Sequence, residues 1–193
     1  MAISLYEASV PVFQQMLGSL TACLQRAGAD ADRLGLDLAT LGGLRLRADM
    51  MPLAQQVQVA TNHAGGAPAR LAGLPLPELG DDERTLEQML DRITRTLDFL
   101  ATLTPRQLDG GAEREITLPK RTHVRHLELA GLPQVAQDQY PMRFRGRDYL
   151  LRFALPNFYF HVTTAYVILR REGVNLGKHD YLGELPRLDQ PGQ

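Results

Sequence analysis

The sequence predicts an all-α protein, a four-helix bundle with a long irregular connection before its fourth helix. Two observations predict it. Four long stretches place apolar residues at three- and four-residue spacing, the period of a helix with one face in a core. Strand-like alternation is confined to two short pieces, Arg114 to Leu118 and Pro141 to Phe144, enough for one small hairpin and no more. The 193 residues are expected to form one domain, 1–193, with an irregular insert about 108–147 and a loose tail at 184–193. At this length roughly 70% of the unfolded surface can be buried, so no disulfide or metal is needed to hold the fold.

The first helix is expected over 4–27, with Tyr6, Ser9, Phe13, Met16, Leu20, Leu24 and Ala27 as its inner stripe. Pro11 sets the first few residues apart as a turn, and Gly28 is expected to stop the helix. Leu34, Leu36, Leu38 and Leu41 then plug one end of the bundle. Asp49 is expected to cap the second helix, 52–72, with Pro52 tolerated in its first turn. Its stripe of Leu53, Val57, Ala60, Ala64, Ala67 and Leu71 is mostly alanine, so a neighbouring helix can come close; Gly65, Gly66 and Pro68 predict a kink. Asp81 or Asp82 is expected to cap the third helix, 82–102. Leu86, Met89, Ile93, Leu97 and Leu100 form its core stripe, with Ile93 and Leu97 fully buried. Glu87, Asp91, Arg92, Arg95 and Asp98 form a solvated charged face, and Pro105 ends the helix.

The fourth helix, 148–172, is the most apolar part of the chain. Asp148 is expected to cap it, Pro156 to kink it, and Gly173 to end it in a left-handed conformation after Arg170 and Arg171. Phe153, Asn157, Phe160, Thr164, Val167 and Ile168 share its predicted inner face. Asn157 and His161, four residues apart, project side by side. Two polar groups on an apolar helix are either core groups satisfied locally or the lining of a cavity between helices. On the second helix Gln56 and His63 flank the stripe on one side. With Tyr166, these residues make up the candidate pocket: Gln56, His63, Asn157, His161 and Tyr166. His161 is expected to be buried, neutral and hydrogen-bonded to Asn157, with Tyr166 or a water as its second partner.

Other function classes are excluded or weakened. A net charge of −1 supplies no bulk attraction for nucleic acid or an anionic membrane surface, so neither is expected as a partner. No apolar run approaches ~20 residues, so no membrane span is expected. No secretory signal opens the chain, and a cytoplasmic location follows by default. Cys23, the single cysteine, reads as a small core residue rather than a nucleophile. No glycine-rich phosphate loop, G-x-S-x-G or H-E-x-x-H occurs. His123 and His126 have a spacing that could hold a metal, but Lys120, Arg121 and Arg125 would repel a cation, and a solvated loop is expected there.

Longer strings carry a resemblance. SLYEASVPVF, RLRADMMPLAQQVQVA, ARLAG, LPNFYFHVTTAY and NLGKHDYLG resemble a bacterial family known only as a domain of unknown function, a branch of the DinB/YfiT-like superfamily. The resemblance covers nearly the whole chain, the segment Lys120 to Tyr140 least. It implies a DinB/YfiT-like bundle and a site where three histidines hold a divalent ion, one from the second helix and two, four residues apart, from the fourth. Some members resemble thiol-dependent transferases. His161 falls where the last of those histidines would lie and Asn157 where its neighbour would; on the second helix Gln56, Gln58, Asn62 and His63 are all open as the counterpart. Neutral amides are weak ligands for zinc or nickel. The resemblance therefore implies a kept cavity and a degenerate metal site with His161 as the one surviving ligand, no cofactor being expected. It also implies a homodimer. The alternatives are a residual divalent-metal-dependent transferase or hydrolase, using zinc or nickel, and a structural dimer subunit acting through a protein partner.

Overall fold

The computed structural model describes residues 3–119 and 141–185. His123, His126 and the basic residues around them lie outside the described residues, as does the tail from 186 onward. The four long helices are α1 (Val10–Leu34), α2 (Leu53–Ala72), α3 (Leu86–Ala101) and α4 (Leu155–Arg171), followed by a short α5 (Lys178–Leu182). Between α3 and α4, β1 (Glu115–Leu118) and β2 (Met142–Arg145) pair antiparallel, with Ile116 opposite Phe144. This is the all-α bundle with a small hairpin in its crossover that the periodicity predicts.

The alanine-rich α2 packs against α1, α3 and α4. Its whole predicted stripe, Leu53, Val57, Ala60, Ala64, Ala67 and Leu71, is completely buried. Small side chains let three helices crowd one, and the large residues come from the neighbours, Phe13, Leu17 and Leu24 on α1 and Phe158, Ile168 and Leu169 on α4. Each such side chain contributes about 1.5–3 kcal/mol by leaving water. Cys23 is buried in the same core, and burial, with the nearby Asp180 charge, pushes its thiol up to about 11.

Several boundaries differ from the sequence expectation, each for a local reason. The first helix starts at Val10, after the predicted turn, and runs through Gly28 to Leu34. A Cβ on Gly28 would lie 2.8 Å from Leu86, so this glycine permits helix contact rather than ending the helix; Gly35, at φ 65°, makes the left-handed cap. Of the connector leucines, Leu41 is buried and Leu38 is exposed. Pro52, not Asp49, precedes the first turn of α2, and α2 continues through Pro68. Thr85, not Asp81 or Asp82, caps α3, in a reciprocal box with Gln88. Leu97 is only half-buried, whereas Arg92, assigned to the solvated face, is fully buried. On the fourth helix Asp148 is already inside the helical segment and pairs with Arg152 instead of capping it. Phe160 is exposed and Val167 half-buried, because the inner face is centred on Phe158, His161, Ala165 and Ile168. Gly173, at φ 88°, closes α4 as expected.

Pro156 acts on the turn before it. It has no N–H to offer the Arg152 carbonyl, and the segment Tyr149–Ala154 widens into a π-helix leading into α4. Tyr149 and Phe153 lie in that widened turn, and both face α2 at the pocket described next.

Candidate ligand pocket between α2 and α4

A cavity of about 390 Å³ opens between α2, the start of the fourth helix and the 73–85 loop. The two helices run antiparallel along it. Gln56, near the start of α2, meets His161, while Arg70, near its end, meets Tyr149. Gln56, His63 and Arg70 are spaced seven apart on α2; Tyr149, Phe153, Asn157 and His161 are spaced four apart on the other wall. Both spacings hold residues on one side of a helix, so two rows face each other across the cavity.

At one end His161 is buried, with Nδ1 2.7 Å from Gln56 Oε1. The roles in this bond follow from Gln56. Its Nε2 donates to the Met51 carbonyl at 3.0 Å, which turns Oε1 toward the imidazole. A carbonyl oxygen only accepts, so Nδ1 carries the proton and Nε2 keeps its lone pair. No described residue bonds Nε2, and it opens onto the cavity. Burial lowers the histidine's pKa from 6.5 to about 4, so the ring is neutral at physiological pH. The direction matches the sequence expectation; the partner does not. Asn157 is engaged with its own helix, donating to the Phe153 carbonyl at 2.7 Å, because a short amide inside a helix reaches the carbonyl four residues back.

His63 lies beside His161, the rings near parallel at 6.4 Å, with Phe153 5.8 Å away on its other side. Phe153 in turn stacks on Tyr149 at 6.0 Å. The cavity wall is thus a row of rings from Tyr149 to His161. Leu76, Pro77 and Leu118 supply apolar surface opposite, and Arg70 is the cation in the lining. Of the candidate residues, His63, Asn157 and His161 line the cavity, and Gln56 lies behind His161, bonded to it. Tyr166 does neither: it packs edge-on against Tyr181 of α5, on a different side of α4. Sequence reading missed Arg70 and Tyr149. The seven-residue step from Gln56 through His63 to Arg70 was a signal that could have found the arginine.

The model of the family described as a domain of unknown function (DUF1993) matches residues 5–182. The chain belongs to the DUF1993 family. A crystal structure described as a DinB family member from Shewanella denitrificans is 34% identical to it, covers 95% of this chain and 94% of its own, and superposes with a TM-score of 0.80. No curated protein matches. The DinB-like bundle expected from the sequence is therefore the fold of this DUF1993 chain.

That fold raises the question of a metal. The cavity lining offers two imidazoles, His63 and His161, and among the described residues no group of three histidine, cysteine or carboxylate side chains could hold an ion. Where the resemblance implies a further histidine stands Asn157, a neutral amide whose nitrogen already donates to the Phe153 carbonyl. A guanidinium in the same cavity further disfavours a cation. Among the described residues the donor set does not fit the three-histidine ion. No described helix is long and apolar enough to cross a membrane.

A second polar cluster lies on the α3 side of α2. Arg92, fully buried, donates from Nε to Thr61 at 2.6 Å, from Nη2 to Asn62 at 2.8 Å and Asp81 at 3.2 Å, and from Nη1 to Glu83 at 2.8 Å and to the Gly80 carbonyl. Glu83 also accepts from Gln58 at 2.9 Å. This cluster ties the 73–85 loop to both helices, and that loop carries Leu76, Pro77 and Leu79 of the pocket wall. Arg92 is thus a positioning residue for the cavity.

Proposed function

We propose that this chain binds a small organic molecule in the α2–α4 pocket, with His161 as the hydrogen-bond acceptor that orients it. The observation that carries the reading is the neutral imidazole whose proton is committed to Gln56, leaving Nε2 open to the cavity between α2 and α4. Apolar walls with a few convergent polar groups are what such sites consist of. A fragment screen by amide NMR tests it. Hits are expected to shift His63, Asn157 and His161, and His161→Phe is expected to weaken them at least ~10-fold. Hits confined to other surfaces, or none at millimolar concentration, would sink the reading.

The metal-dependent transferase or hydrolase has one observation in its favour. Gln56 orients His161 as an outer-shell partner orients a ligating histidine. Metal analysis of protein purified without a histidine tag decides between them, one equivalent of zinc or nickel favouring the metalloenzyme. A homodimer is supported by the large side chains exposed along the fourth helix, Leu151, Tyr159 and Phe160. Sedimentation showing only monomer at tens of micromolar would remove it.

A further inference from the structure

Arg70 is the unexplained charge of the pocket. The guanidinium is half-buried and lines the cavity. Nη1 donates to the Gly66 carbonyl at 3.2 Å and approaches the Tyr149 hydroxyl at 3.4 Å; Nε and Nη2 bond no described residue. Among the described residues no carboxylate pairs with it. The contrast with Arg92, buried against Glu83 and Asp81, is direct. A cation drawn partly out of water costs free energy unless an anion answers it, and the planar fork of an arginine suits a carboxylate.

The rest of the cavity says what is attached to that anion. From Arg70 the row of Tyr149, Phe153 and His63 leads to His161, a track of ring faces with an acceptor at its far end. Seven residues of helix separate Arg70 from His63, about 10 Å at the helical rise. With one cation in the lining, a monoanion balances the charge, whereas a phosphate dianion would bring one charge more than the lining answers.

We infer that the pocket takes a monocarboxylate, its carboxylate held by Arg70 beside the Tyr149 hydroxyl and its apolar body lying along the ring row toward His161. The inference rests on the small-molecule reading above and names its ligand class. The test uses octanoate, octanamide and inorganic phosphate as probes of the full chain, with calorimetry and amide NMR as readouts. Octanoate is expected to bind at least ten times more tightly than octanamide and to shift Arg70, Tyr149 and Phe153. Arg70→Gln is expected to remove that preference, and Tyr149→Phe to reduce it; phosphate is expected not to displace octanoate. Equal binding of octanoate and octanamide in this pocket would overturn the carboxylate and leave the small-molecule reading standing. So would displacement by phosphate, or undiminished octanoate binding by Arg70→Gln. Failure of both eight-carbon probes alongside pocket hits in the fragment screen would also overturn it alone, and failure of every probe and fragment would overturn both. If Arg70→Gln does not fold, the wild-type comparison of acid with amide decides.

Discussion

α2 carries polar side chains on two of its sides, and the two sides are completed differently. Toward α3, Gln58, Thr61, Asn62, Glu83 and the largely exposed Asp81 answer the donors of the buried Arg92 guanidinium. Toward α4, Gln56 satisfies one nitrogen of His161 and leaves the other facing a cavity. A buried polar cluster whose donors all find acceptors holds structure in place; one with an accessible unmet acceptor has capacity left for a ligand. α2 thus carries a structural polar cluster and a candidate site side by side, with Thr61 and Asn62 belonging to both.

The largest expected effect comes from breaking the closed side. Arg92→Met should cost ~3–5 kcal/mol in urea denaturation, because Glu83 is left buried without its cation. A loss under about 1 kcal/mol would mean that the loop is held by other contacts. The open side should show itself by pH. Below pH 6.5 the unfolded imidazole gains a proton that the folded one does not accept until about pH 4. Stability present above 6.5 is therefore lost as the pH falls toward 4, by ~3 kcal/mol. Denaturation of the wild type and His161→Gln at pH 7 and pH 4 checks this; the same pH loss in both would assign it to other groups. Gln56→Leu should cost ~1–3 kcal/mol by orphaning Nδ1. It should also release the tautomer, seen by nitrogen-15 NMR of the ring as a mixture in place of the Nδ1–H form. The smallest effect should be at Tyr166→Phe, within ~0.5 kcal/mol and without change in ligand binding, since that ring packs on α5. A binding defect there would mean that the pocket extends further around α4.

How much was legible follows from these same residues. The stripe Leu53 to Leu71 is a spacing, and it is buried throughout, as read. The position of His161 in that order was legible too, as was its burial among apolar neighbours. Its partner was not, because side chains four apart on a helix compete with backbone carbonyls at the same distance, and Asn157 chose the carbonyl. Arg92 misled because charge normally marks a solvated face, and only the loop folded over α2 and α3 brings Glu83 and Asp81 to it.

By itself the sequence determined the helices, their apolar stripes, the small hairpin and the all-α class, since each depends on residues within a few positions of one another. The tertiary structure alone decided which polar residues meet. Gln56 and His161 lie 105 positions apart, Arg70 and Tyr149 lie 79 apart, and Arg92 and Asn62 lie 30 apart. No local periodicity encodes such pairs, because they depend on how far each helix is rotated about its axis, and that rotation is set by the packing of all four helices together.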